Sequence, residues 1–193
     1  MKPEFLGTPT LIVVTGRPGS GKTTLSHRLA QAIRCPLISR DEIKEGLVNT
    51  VQSSHVSSDT DLNGHVYTTF FETIEFLLNR RITLIGEAAF QHKLWIPKLE
   101  PLRKIAQVKI IQCSVSPTLA QSRFIQRGTD DPTRANFHDD WGNTGSDLLT
   151  RTYEPPDLDV PTLEVDTSDD YQPTFEDIVT FVNDSVVGKD NQL

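Results

Sequence analysis

Apolar residues recur along this chain in two alternating rhythms. Leu11-Ile12-Val13-Val14 is a continuous apolar run of buried-strand character and predicts a strand over 10–15. Directly after it, Leu25, Leu29, Ala32 and Ile33 return at helical spacing, which predicts an amphipathic helix over 22–34. A second strand at 36–39 is followed by a helix over 41–49, opened by the acidic pair Asp41 and Glu42 that suits a helix N-terminus. Residues 50–61 are polar and serine-rich and read as a loop. A long helix over 62–80 sets Phe70, Ile74, Leu77 and Leu78 on one face, where core packing accounts for them. The rhythm then gives a strand at 82–85, a helix at 93–105 interrupted at Pro97 and Pro101, a strand at 108–113 and a helix at 117–127. An irregular segment, 128–145, is dense in Gly, Asp, Asn and Thr and precedes a short helix at 146–152. Pro155-Pro156 breaks the chain before a fifth strand at 162–165 and a final helix at 174–186, and 188–193 reads as a frayed tail.

Strands alternating with helices predict a parallel sheet with right-handed crossovers, and 193 residues fit one α/β domain spanning 1–193. In such sheets ligands collect beyond the carboxyl ends of the strands. That rule gathers scattered residues into one rim. Thr15 to Thr23 follows the first strand, Arg40-Asp41 the second, Glu87 the third and Ser114 to Ser116 the fourth.

The first of these segments carries a motif. Residues 16–23 read G-R-P-G-S-G-K-T, the G-x-x-x-x-G-K-[ST] loop whose backbone N–H groups cradle a di- or triphosphate. It lies between a strand and a helix N-terminus, the context that makes an anion site by geometry. Gly16, Arg17, Pro18, Gly19, Ser20, Gly21, Lys22, Thr23 and Thr24 together form the candidate nucleotide cradle. Lys22 places a compact charge on the β/γ oxygens, and the Thr23 hydroxyl is the usual Mg²⁺ ligand.

The rest of the rim supplies groups for phosphoryl transfer. Asp41 is a candidate base for an acceptor hydroxyl, and equally a candidate helix N-cap. Lys44, one turn along, either meets an anionic substrate or pairs with Asp41. Glu87 ends an apolar run where a carboxylate holds or orients the Mg²⁺ shell; the bland alternative is a strand-end carboxylate in solvent. Arg123 and Arg127 share one helix face and suit a phosphate clamp, with Arg134 and His138 in the following segment. Pairing with Asp130, Asp131 or Asp139 is the competing account of these arginines.

Charge and composition narrow the classes. A net charge of −7 argues against a broad footprint for duplex nucleic acid. Cys35 and Cys113 are isolated, which suits buried thiols in a reducing compartment. The five histidines show no zinc spacing, and the guanine motif N-K-x-D is absent. No run approaches the ~18 apolar residues of a membrane span and residues 1–9 lack signal-peptide character, so a cytoplasmic chain with no membrane partner is expected.

With the phosphate loop, Ser39-Arg40-Asp41-Glu42 and Arg123 with Arg127 in view, residues 10–170 resemble a small P-loop kinase. The likeness is to the AAA-type group that joins polynucleotide 5′-kinase, zeta-toxin and chloramphenicol phosphotransferase families. It implies a three-layer P-loop NTPase fold with a five-stranded parallel sheet in the order 2-3-1-4-5. It also implies ATP and Mg²⁺ as cofactors, Asp41 as the base, and Arg123 and Arg127 clamping the phosphates from a lid at about 128–140. Members often carry Asp or Asn where this chain has Glu87. The implied activity is transfer of the ATP γ-phosphate to a hydroxyl, with a small-molecule acceptor favoured by charge and contacted by 44–70 and 128–151. The alternatives are a polynucleotide 5′-hydroxyl kinase and a nucleotide-responsive switch that hydrolyses ATP slowly.

Overall fold

The computed structural model describes residues 7–50, 59–130 and 152–184. Five strands form one parallel sheet: β1 (Thr10–Thr15), β2 (Leu37–Ser39), β3 (Leu84–Glu87), β4 (Gln107–Ser114) and β5 (Thr162–Asp166). Their order is β2-β3-β1-β4-β5, with β1 central. Six helices accompany them among the described residues: α1 (Lys22–Ile33), α2 (Arg40–Thr50), α3 (Asp59–Asn79), α4 (His92–Leu102), α5 (Pro117–Asp130) and α6 (Phe175–Asn183). None of them is long and apolar enough to cross a membrane.

The continuous apolar run of β1 is explained by burial on both faces of the sheet. Successive side chains point to opposite faces, so one strand feeds two cores. Leu11 and Val13 join Phe70, Ile74, Trp95 and Leu99 on one side, whereas Ile12 and Val14 join Leu25, Leu29, Ile178 and Val182 on the other. Phe70, Ile74 and Leu78 are buried as the helical spacing requires, with Leu77 half-buried beside them. Ala32 departs from its predicted face and is exposed.

Several boundaries differ from expectation for local reasons. The third strand is Leu84–Glu87, two residues later than predicted. Residues 80–82 are used to leave α3: the Arg80 and Arg81 amides bond to Leu77 and Leu78 carbonyls, and Arg81 takes φ 65°. Ile82 is therefore an exposed residue just after that turn. Pro97 and Pro101 do not interrupt α4, which runs unbroken through both. Their four-residue spacing places both on one exposed side of the helix. The last helix ends at Asn183 rather than 186, because Asp184 turns to φ −59°, ψ 119°. Thr174 and Asp177 close a capping box at its start. The short helix expected at 146–152 lies outside the described residues except for Thr152, which is not helical. Most of the proposed 128–140 lid, Arg134, His138 and the 188–193 tail also fall outside them.

Candidate active site

The phosphate loop leaves the end of β1 at the centre of the sheet. Two of its glycines have no substitute. At Gly16 (φ 150°) a Cβ would lie 2.5 Å from the Cys113 carbonyl oxygen, and at Gly19 (φ 79°) it would lie 2.1 Å from that of Ala120. The loop thus fits against β4 and α5 by backbone approach. A Ser20 N–H to Arg17 carbonyl bond of 3.1 Å tightens it, and Gly21 opens α1. Ser20 Oγ and Arg17 Nη1 are buried with no hydrogen-bond partner among the described residues. Such orphaned groups in a loop of this shape call for an acceptor or donor from outside the protein.

Two buried side chains face each other beside the loop. Lys22 is 5% exposed and Glu87 1%, and Nζ stands 3.6 Å from Oε1. That separation gives charge attraction but is too long for a hydrogen bond. Oε1 accordingly has no hydrogen-bond partner among the described residues, whereas Oε2 accepts from Ser39 Oγ at 2.7 Å. The sheet explains the pairing, since Ser39 and Val14 both stand in register with Glu87. Burial raises the Glu87 pKa, Asp41 and Glu42 add to the rise, and Lys22 and Ser39 oppose it. The reading of Glu87 as a carboxylate in solvent does not hold.

Asp41 lies within the first turn of α2 rather than at the cap position before it. Its Oδ1 accepts from Arg40 Nη1 at 2.9 Å, while Arg40 Nη2 donates to Asn63 Oδ1 of α3 at 2.5 Å. Asp41 is close enough to Glu87 to act on its ionisation. Lys44, on the same helix, is 4% exposed. His27 and Glu42 make a surface contact of 2.7 Å at the edge of this cluster.

On the other side of the loop an open cleft of about 520 Å³ is lined by Gly21, Thr24, Arg28, Arg123, Arg127 and Tyr171, among others. Arg123 reaches the exit of β5, while Asp131 and Asp139 lie outside the described residues. Its guanidinium donates to the carbonyls of Thr167 at 2.8 Å and Ser168 at 3.0 Å. Thr167 Oγ1 in turn donates to the Ser20 carbonyl at 2.8 Å, so the exit of β5 is tied both to α5 and to the phosphate loop. Arg28 stands 3.9 Å from the Phe175 ring centre and 3.9 Å from Asp170 Oδ1. Sequence reasoning singled out neither Thr167 nor Arg28, and nothing in their local sequence marks them.

Residues 11–143, well over half of the chain, match a protein family described as an AAA domain, AAA_33. A structure from Chloroflexus aurantiacus J-10-fl, provisionally described as a kinase, superposes with TM-score 0.79 at 28% identity, covering 91% of this chain and 97% of that one. A sugar kinase from Janibacter sp. HTCC2649 gives TM-score 0.60 at 17% identity over 90% and 94% of the two chains. A gluconokinase from Sinorhizobium meliloti 1021 gives 0.57 at 21% identity over 91% and 90%. The last two likenesses speak for the fold alone. No curated protein matches the chain.

Proposed function

This chain belongs to the AAA_33 family of AAA domains and has the fold of the small P-loop kinases, and from that premise we propose that it transfers the γ-phosphate of ATP to a hydroxyl of a small-molecule acceptor. The observation that carries the proposal is the buried Lys22–Glu87 pair at the mouth of the phosphate loop, with Asp41 at the exit of the next strand. A charged pair that leaves a carboxylate oxygen buried and without a hydrogen bond is costly unless a ligand completes it.

Each residue then has a task. The loop amides and Lys22 hold the β- and γ-phosphates. Arg17, whose Nη1 is buried without an acceptor, adds a donor at the same loop. Thr23 and Glu87 fit a divalent cation, because the unfilled Oε1 is a hard oxygen donor beside the first turn of α1. Mg²⁺, when bound, neutralises charge on the phosphate oxygens. Asp41, oriented by Arg40, takes the proton of the acceptor hydroxyl as its oxygen forms the bond to phosphorus and ADP leaves with the broken P–O bond. Arg127 lines the nucleotide side of the cleft, and with Arg123 it is the proposed clamp.

The acceptor is argued from charge. With a net −7, and Arg40 and Lys44 as the basic residues beside Asp41, a neutral or singly anionic compound suits the site better than a polyanion. The test is an ATP-consumption screen with small alcohols, sugars and nucleosides in one panel and 5′-hydroxyl oligonucleotides in the other. Stimulation by a member of the first panel, lost in Lys22→Ala, is the expected result. Salt-sensitive stimulation by oligonucleotides alone would sink the small-molecule reading, and basal turnover insensitive to every acceptor would favour a nucleotide switch.

A further inference from the structure

The hydroxyl of Thr15, the last residue of β1, is a junction of four segments. It donates to the Ala88 carbonyl at 3.0 Å, accepts from Trp95 Nε1 at 3.1 Å, and is hydrogen-bonded to the Tyr153 hydroxyl. A threonine hydroxyl has one proton and two lone pairs. Ala88 takes the proton and the indole, which can only donate, takes one lone pair. Tyr153 must therefore donate to the other, and the junction is saturated. Thr15 and Trp95 are both 0% exposed, so no water competes for these positions.

Tyr153 also lies beside the start of the loop. The Gly16 backbone amide is close enough to act on the ionisation of the same phenol, and the Phe90 carbonyl lies 3.4 Å from it. Burial pushes the phenol up to about 12 against the opposing pull of Thr15 and Gly16, so it stays a donor across the neutral range. The segment that delivers it is itself fixed. Glu154 N–H donates to Gln91 Oε1 at 2.7 Å, His92 N–H to the Glu154 carbonyl at 2.8 Å, and Asp157 N–H to His92 Nδ1 at 3.1 Å. Trp95 needs none of this for its place in the core, since Phe70, Phe71 and Phe90 surround it at ring-centre distances of 5.9, 5.6 and 5.3 Å.

We propose that Tyr153 and Thr15 are positioning residues for the nucleotide site, holding the Thr15–Gly16 peptide so that the first turn of the phosphate loop keeps its binding shape. Gly16 has no side chain to anchor it and wide backbone freedom, so its orientation has to be imposed by its neighbours. A phosphate cradle loses affinity when its donors drift by a fraction of an ångström. The proposal rests on the reading of residues 16–23 as a nucleotide cradle.

Thr15→Val keeps the shape and removes the hydroxyl, Thr15→Ser restores it, and Tyr153→Phe removes only the phenol oxygen. Calorimetric titration with Mg·ATP, with thermal melts alongside, compares them with the wild type. The expected result is about tenfold weaker binding in Thr15→Val and Tyr153→Phe, and within about twofold of wild type in Thr15→Ser. Should Thr15→Val fail to fold, Tyr153→Phe and Thr15→Ser decide the matter. Wild-type affinity in Tyr153→Phe, equal losses in Thr15→Val and Thr15→Ser, or lower melting points with unchanged affinity would each overturn the positioning role. A wild type that binds no Mg·ATP overturns the nucleotide reading itself; a wild type that binds, with variants unaffected, overturns this proposal alone.

Discussion

At the scale of single residues, the proposed roles separate by experiment. Asp41→Asn removes a proton acceptor and little else, so the acceptor-dependent rate should fall about 10²–10⁴-fold with ATP affinity nearly unchanged. Equal loss of both would assign Asp41 a structural part in α2 instead. Gly19→Ala is the backbone counterpart. Its Cβ would meet the Ala120 carbonyl at 2.1 Å from a left-handed conformation, so strain and overpacking should cost about 2–5 kcal/mol and abolish ATP binding. A melt within a degree of wild type would show that the loop and α5 separate freely. Lys22, Asp41 and Glu87 were legible because the strand-exit rule places them together without knowledge of the fold, and Lys22 does stand 3.6 Å from Glu87. Thr167 and Tyr153 were not, because each acts on a partner 147 or 138 residues away. Arg123 was legible only as a charge: its helix face was evident, but its carbonyl partners on the β5 exit were not.

At the scale of elements, apolar rhythm located every strand, while the ends depended on contacts that periodicity does not carry. The stop of α6 is the clearest case. Lys109 sits within the apolar run of β4, buried at 2% exposure, and its Nζ donates to the carbonyls of Phe181 at 2.6 Å, Val182 at 3.0 Å and Asp184 at 2.5 Å. A cation at a helix C-terminus satisfies carbonyls that have no intrahelical partner. Lys109→Met should leave them orphaned and cost about 2–3 kcal/mol, or roughly 5–10 °C in melting temperature. The pH dependence has a definite sign. Burial lowers the Lys109 pKa from its ordinary 10.5, although Asp184 opposes the shift. Between the lowered value and 10.5 the native state has released a proton that the unfolded chain still holds, so this group adds stability as pH rises through that window. The advantage of wild type over Lys109→Met should therefore widen on the alkaline side. Melts that converge there would refute the assignment.

At the scale of the whole molecule, the sheet order expected from the resemblance is the order found, β2-β3-β1-β4-β5. That order sets β1 between β3 and β4, so the phosphate loop has Glu87 on one flank and the Ser114 end of β4 on the other. The loop also touches α5 through Gly19 and the β5 exit through Thr167, and Thr15 ties its root to α4 and Tyr153. A ligand that fills the loop consequently reinforces contacts across the entire sheet. Mg·ATP at about 100 times its Kd should add about 2.7 kcal/mol of stability. For a chain of this length that is a rise of roughly 5–11 °C in melting temperature. Lys22→Ala should flatten the rise because it removes the charge that meets the phosphates. Mg·ATP should shift the melt more than ATP with chelator if Thr23 and Glu87 hold a cation, and the difference should shrink in Glu87→Gln. Equal shifts with and without Mg²⁺ would exclude the cation role of Glu87 while leaving the phosphate cradle standing. Absence of any shift in the wild type would exclude the cradle as well.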